Sequence, residues 1–286
     1  MESSIREGTV NRNVPGRLSV AMPIYNGEKY IAEALNSVVS QDYDNMEVIV
    51  LDDGCTDNSI LIAREILDKS GRLYNIYNTY GPSDYSPVTV AWPTYYGLYM
   101  STGEYFTVHS DDDISPDTSK YSKLIRQLDG HFHISCKVLR LINGNIGKEW
   151  ETGPGINDAC RKTVECGDLG KYYSFGCQVP ILDSYIYDKV FMIKARIIEL
   201  SPCSEVMFIL RTYAYEDYNY TDSTYMLHRI HSDSINSNPN RRLNGRRANG
   251  YDYRDLEYMG RYDYTPYGAI EDTLRLVRER LGIDDG

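Results

Sequence analysis

Apolar residues along this chain gather into short runs separated by longer amphipathic stretches. Leu18 to Met22 (LSVAM), Glu47 to Leu51 (EVIVL), Leu73 to Tyr77 and Tyr105 to His109 are compact and mostly apolar, as buried strands of a parallel sheet are. Between the first two, Tyr30, Ile31, Ala34, Leu35, Val38 and Val39 recur at helical spacing and predict an amphipathic helix. A second helix is predicted from Ile60, Ala63, Ile66 and Leu67, with Asp57 or Ser59 as its cap, and a third begins at Pro93, a residue tolerated in a first turn. Strands alternating with helices predict a doubly wound α/β sheet, in which ligands sit beyond the carboxyl ends of the strands.

The second half is less regular. His133 to Ile142, followed by Asn143-Gly144-Asn145, reads as a strand and hairpin, and residues 150–176 as a Gly-rich loop. Helices are predicted over Val190 to Leu200 and Glu205 to Tyr213, and a strand over Ser223 to Ile230. Residues 232–247 form a polar, basic loop, and Ile270, Leu274, Val277 and Leu281 mark a closing helix. The expected organisation is a flexible arm over 1–16, a regular α/β half over 17–120, an irregular half of the same domain over 121–237, and a basic loop with a terminal helix over 238–286.

Chemistry concentrates where predicted strands end. In Gly103 to Asp117, GEYFTVHSDDDISPD, a strand runs into Asp111, Asp112 and Asp113. Adjacent like charges repel, so two readings stand: a site for a divalent cation such as Mg²⁺ or Mn²⁺, which binds one or two carboxylates and completes its shell with water and phosphate, or an acidic turn capping a helix that starts near Pro116. Tyr25 and Asp53 also follow predicted strands and can share a pocket with these acids, although turns select Asp and Gly for backbone reasons alone. Asp57 reads as a helix cap, His109 as packed at a strand end and His228 as a half-buried strand residue.

Composition narrows the classes. The 286 residues, 42% hydrophobic and 25% charged, suit one sizeable globular domain. A net charge of −11 argues against general nucleic-acid binding, which needs a basic surface. The absence of a run approaching a membrane span, and the polar stretch Met1 to Arg17, predict a cytoplasmic protein. The six cysteines show no CxxC pair, so reduced thiols are expected and zinc is not. With 27 Tyr against 5 Phe, many rings are expected at half-wet positions. The Arg241, Arg242, Arg246, Arg247 cluster reads as a solvated loop, or as a contact for anionic groups.

Four segments together resemble the inverting family 2 glycosyltransferases of GT-A fold. LSVAMPIYNGEKYIAEALNSVVSQDY is similar to the family's first strand, Pro-x-Tyr-Asn turn and first helix; EVIVLDDGCTDNS to its Asp-Asp-Gly-Ser-Thr-Asp segment, with Cys55 where Ser is usual. GLYMSTGEYFTVHSDDDISPD is similar to its acidic metal (DxD) motif, and SEVMFILR with YMLHRIHSDSINS to its acceptor-side helix and late Arg-x-His strand. The resemblance is dense from Leu18 to Asp117 and thinner to about Ser237. It implies a Rossmann-like, mostly parallel central sheet flanked by helices, a nucleotide-sugar-binding half over 17–120 and an irregular acceptor-binding half over 121–237. It also implies transfer from a UDP- or dTDP-sugar to a hydroxyl of a carbohydrate or glycan acceptor, with Mn²⁺ or Mg²⁺ as cofactor.

Residue by residue, the resemblance implies Pro23 and Tyr25 against the nucleobase, Asp53 on the base imide, Asp111 on the ribose, Asp112 on the metal and His231 as a further metal ligand. The catalytic base falls to Glu205, in Ser204-Glu205 where the family has Glu-Asp, with Asp183, Glu216 and Asp217 as rivals. Ser110 stands for the family's first metal-motif Asp, and Thr94-Tyr95 for an Arg-x-Asn-like pair. A sugar nucleotidyltransferase on a related α/β sheet is a second reading, although the loop PIYNGEKY lacks the Gly-rich basic character it needs; Ser110 and the missing first acid at Ser204 keep open a third, an inactive nucleotide-sugar- or carbohydrate-binding module.

Overall fold

The computed structural model describes residues 12–79, 91–149, 155–167, 182–196, 205–232 and 266–283. Its elements are β1 (Val14–Ile24), α1 (Ile31–Val39), β2 (Met46–Asp52), α2 (Ser59–Ser70), β3 (Leu73–Asn78), α3 (Ala91–Met100), β4 (Gly103–Val108), α4 (Lys120–Leu128), β5 (His133–Ile142), β6 (Asn145–Glu149), α5 (Ile156–Cys166), β7 (Tyr185–Asp188), α6 (Lys189–Lys194), α7 (Glu205–Tyr213), β8 (Tyr220–Ile230) and α8 (Pro266–Leu281). The strands form one sheet in the order β3-β2-β1-β4-β7-β5-β6, with β8 on the other side of β5. β1 to β4 are mutually parallel, β7 is antiparallel to both β4 and β5, and β8 is parallel to β5. The fold is thus α/β with a mixed sheet and a parallel core, as expected.

Alternation along the strands divides the core into two layers. Leu18, Val20, Met22 and Ile24 pack with Val48 and Val50 against α1, α2 and α4. Ala21, Ile49, Leu51, Phe106 and Val108 pack on the opposite face with residues of α5, α6, α7 and α8, including Cys160, Met192, Leu210 and Val277. Burial on both faces is why β1 and β2 read as continuous apolar runs. At the lower end of the sheet, Glu47 accepts from Ser19 Oγ at 2.6 Å and from the Thr102 backbone N–H at 2.6 Å, which satisfies a buried carboxylate. A Cβ at Gly103 would lie 2.5 Å from the Arg17 carbonyl oxygen, so this strand start admits only glycine.

Several boundaries differ from the sequence reading. β1 starts at Val14, inside the expected arm, and continues through Pro23 instead of stopping at Met22. Pairing with β4 ends at Ala21, so the N–H that Pro23 lacks interrupts no bond on that side. The helix expected near Pro116 starts at Lys120, because residues 113–117 are held along β8. Residues 156–166, read as loop, form the amphipathic α5 with Ile156, Ala159, Cys160 and Val164 buried, and the short strand β7 is an addition. The Asn143-Gly144 turn has both residues at positive φ, 50° and 79°, as a two-residue hairpin requires. Cys55, Cys136, Cys160 and Cys166 are all free thiols. No helix of the described residues is long and apolar enough to cross a membrane.

Candidate active site

The carboxyl ends of the parallel neighbours β1, β2 and β4 lie together on one edge of the sheet. After β1 the chain turns at Tyr25 and Asn26, the latter at φ 52°, and enters α1. The turns after β1 and β2 are stitched together. Asn26 Oδ1 accepts from the Thr56 backbone N–H at 2.8 Å, Asp57 accepts from the Glu28 N–H at 3.1 Å, and Glu28 accepts from the Asn58 N–H at 3.1 Å. Asp57 also accepts from the Ser59 N–H at 3.0 Å and so joins the two turns, but the N-cap position of α2 is Asn58, not the expected Asp57 or Ser59. Cys55 lies in this seam, with its Sγ accepting from the Asn26 N–H at 3.4 Å; burial pushes the thiol up to about 12, which keeps it protonated and inert.

Tyr25 presents an exposed ring, 36% accessible, at this edge. Its backbone N–H donates to Asp111 Oδ2 at 3.2 Å, so the first strand end and the acidic loop are in direct contact. Gly27 makes this possible: a Cβ there would fall 2.4 Å from Asp111 Oδ2. Asp53 follows β2, its N–H donating to the Ile24 carbonyl at 3.0 Å and its carboxylate accepting from Thr79 Oγ1 at 3.4 Å. Burial raises Asp53 to about 6, helped by the nearby charge of Asp52 against the Thr79 hydrogen bond. Burial, then the charge of Asp112, lifts Asp111 to about 7.

From Asp112 to Asp117 the acidic loop is fastened to β8. Thr224 Oγ1 donates to Asp117 at 2.6 Å, and Ile114 and Leu227 exchange backbone hydrogen bonds of 3.0 and 2.8 Å. Asp113 is buried and accepts from the Arg229 N–H at 2.9 Å, with His228 Nδ1 at 3.1 Å. Burial opposes the His228 cation, but the charge and hydrogen bond of Asp113 outweigh it and raise its pKa. Asp112 Oδ2 lies 2.9 Å from His231 Nε2. The Arg229 guanidinium donates to the Asp112 carbonyl at 2.8 Å and to Glu33 at 2.5 Å.

Pro23, Tyr25, Asp53, Asp111 and Asp112 therefore lie at or just beyond the ends of the neighbouring strands β1, β2 and β4, with Tyr25 in contact with Asp111, and His231, which follows β8, joins them through Asp112. The Asp112–His231 pair, beside the charge-crowded Asp111, is a donor set that fits a divalent cation. Among the described residues no group of three or more His, Cys, Asp or Glu could hold a metal, so the remaining positions would fall to water and phosphate oxygens.

The rival acids are engaged. Asp183 is buried, accepts from the Ser110 N–H at 2.5 Å and from Ser110 Oγ at 3.0 Å, and burial followed by the charge of Asp113 raises its pKa well above the usual carboxylate range. Glu216 caps the opposite, amino end of β5, accepting from the Phe132 and His133 N–H groups at 2.9 and 3.0 Å and contacting His133 Nδ1 at 2.6 Å. Asp217 pairs with Arg280. Glu205 is the first residue of α7; its side chain, those of Thr94 and Tyr95, and the 241–247 arginines lie outside the described residues. His109 packs beneath the loop against Ser115 Oγ at 3.2 Å, and burial holds it neutral, at about 3. Sequence reasoning missed Arg229 and the anchoring role of Asp113; the signal was in HRIH, whose alternation puts Arg229 and His231 on the same side of a strand.

Residues 19–178 match the family model Glycosyl transferase family 2. The chain belongs to that family. Among its relatives, an uncharacterised glycosyltransferase of Haemophilus influenzae is 32% identical over 142 residues, covering 48% of this chain and 42% of that one. Glycosyltransferase GlyG of Streptococcus pneumoniae is 35% identical over 99 residues, 34% of this chain and 30% of GlyG. The matches thus span less than half of either relative. Among solved structures, S. aureus TarS 1-349 in complex with UDP-GlcNAc superposes with a TM-score of 0.56 at 17% identity, over 93% of this chain and 83% of that one. Mannosyltransferase PcManGT from Pyrobaculum calidifontis, in complex with GDP-Man and Mn²⁺, gives 0.53 at 13% identity over 93% and 70%. At these identities the likeness establishes the GT-A-type fold for this family 2 chain.

Proposed function

We infer that this family 2 chain is a metal-dependent inverting glycosyltransferase that moves a sugar from a UDP- or dTDP-sugar to a hydroxyl of a carbohydrate or glycan acceptor. The observation that carries the reading is the convergence of Tyr25, Asp53, Asp111 and Asp112 at the carboxyl ends of β1, β2 and β4, with Tyr25 and Asp111 in hydrogen-bond contact. Family membership, and the nucleotide sugars seen with the fold neighbours TarS and PcManGT, support it.

In this reading the Tyr25 ring stacks on the base with Pro23 beside it, and the Asp53 carboxylate accepts from the imide N–H, which uracil and thymine offer and adenine does not. Asp111 accepts from a ribose hydroxyl. Asp112 and His231 would hold Mn²⁺ or Mg²⁺. When bound, such a cation supplies Lewis-acid stabilisation of the charge that builds on a departing diphosphate. Glu205, opening α7, takes the proton of the acceptor hydroxyl on the face opposite the leaving group, and in-line displacement inverts the anomeric carbon. The engagement of Asp183, Glu216 and Asp217 in other contacts favours Glu205 for that role.

Calorimetry of UDP with Mn²⁺ tests the binding half. Wild type is expected to bind and Asp112→Ala to lose metal-dependent affinity; absence of binding by wild type would remove the basis for the reading. Slow hydrolysis of a bound UDP-sugar, lost in Glu205→Gln, separates an enzyme from a binding module with the same pocket.

A further inference from the structure

Tyr30, the residue preceding α1, is absorbed by none of the roles above, yet its ring is the hub of a cluster drawn from three separate parts of the chain. The His231 ring lies against it, centroids 4.5 Å apart and tilted by 49°. The Arg229 guanidinium stands over it at 4.8 Å. These two residues are next but one on the end of β8 and grip the same acidic residue: His231 contacts the Asp112 side chain at 2.9 Å, and Arg229 donates to the Asp112 carbonyl at 2.8 Å. Arg229 closes the circle back to α1 through Glu33 at 2.5 Å. His231 follows the last residue of β8, and its ring lies between the Asp112 carboxylate and the Tyr30 ring.

We propose that Tyr30 is a positioning residue for the metal pair: its ring walls in His231 and Arg229 so that the His231 imidazole and the Asp112 carboxylate stay side by side. The proposal rests on the reading of Asp112 and His231 as cation ligands. An imidazole loses little by swinging into water, whereas one packed on an aromatic face and hydrogen-bonded to a carboxylate is already in place before a cation arrives. The Arg229 cation over the same ring adds attraction that an aliphatic side chain would not supply, and its hydrogen bonds to Glu33 and to the Asp112 carbonyl tie the start of α1 to the acidic loop.

The test measures Mn²⁺ affinity directly, by titrating free Mn²⁺ and reading its electron paramagnetic resonance signal, with metal-free UDP affinity as the second readout. Tyr30→Ala is expected to weaken Mn²⁺ binding about 10-fold, the scale found when an outer support of a metal ligand is removed, while metal-free UDP affinity stays within about 2-fold. Tyr30→Phe keeps the ring and should restore binding. In Tyr30→Ala/His231→Ala the loss should fall well short of the sum of the two single losses, because Tyr30 acts largely through His231. Unchanged Mn²⁺ affinity in Tyr30→Ala, or losses that add in the double variant, would overturn the proposal. A wild type that binds no Mn²⁺, or a His231→Ala that binds it fully, would instead overturn the ligand reading on which it rests.

Discussion

Asp53 should reveal itself by pulling stability and binding in opposite directions. Its carboxyl is raised from 3.8 to about 6 by burial, so the folded protein holds a proton there that the unfolded chain has already released. The stabilisation from that proton is complete below about pH 4 and is lost as pH rises through about 6; near neutrality the ionised group is carried at a cost. A shift of about 2 units corresponds to about 3 kcal/mol. Solvent on the open side of the pocket screens the charge, leaving about 1 to 2 kcal/mol. Asp53→Asn should therefore raise stability by that amount at about pH 7.5 and change it little at about pH 4, as read from urea midpoints with unchanged slope. The same variant should weaken UDP, since a hydrogen bond to a charged acceptor contributes about 1 kcal/mol more than one to a neutral amide. Wild-type affinity should also fall as pH drops below about 6, when the carboxylate takes up its proton. A variant with the same pH–stability curve as wild type would refute the raised pKa of Asp53, and one with undiminished UDP affinity would refute its assignment to the base.

Gly27→Ala should leave the fold cooperative but displace Asp111, because the new methyl would meet Asp111 Oδ2 at 2.4 Å; UDP affinity by calorimetry is expected to fall about 10-fold or more. Glu216→Ala should cost about 3 kcal/mol in urea unfolding, since it strips the partners of the Phe132 and His133 N–H groups and of His133, while donor hydrolysis by the folded enzyme stays at the wild-type rate. In the wild type, His133 is lowered by burial, against the pull of Glu216, and Glu216 is lowered by its hydrogen bonds to His133, against burial. Both signs place the loss of stability on the acid side: it begins as pH falls below the unfolded histidine value near 6.5 and continues as Glu216 protonates, which melting curves across that range would follow.

The parallel core was legible because β1, β2 and β4 are buried on both faces, so their side chains need be apolar whichever way they point. That logic fails for β7, whose four residues YIYD are too few to show a period, and for α5, whose polar exposed face hides Ile156, Ala159 and Val164 within a Gly-containing stretch. The start of α4 was misplaced because Pro116 is a good first-turn residue locally, while the Ile114–Leu227 and Asp117–Thr224 contacts hold that segment along β8. Within the site, each acid was visible as an acid after a strand, but their separate duties were not. Asp113 differs from Asp112 only in facing the backbone of Arg229 and the ring of His228, contacts more than 100 residues away in sequence. Tyr30 reads in sequence as one more apolar position of the first helix; its neighbours Arg229 and His231 come from the far end of the fold.

The most direct measurement is a crystal structure of the protein with UDP and Mn²⁺. The expected density places uracil against Tyr25 with its imide on Asp53, and the diphosphate and cation at Asp112 and His231. Nucleotide bound in any other cavity, or a cation held by residues other than Asp112, would contradict the single pocket built from the ends of β1, β2, β4 and β8.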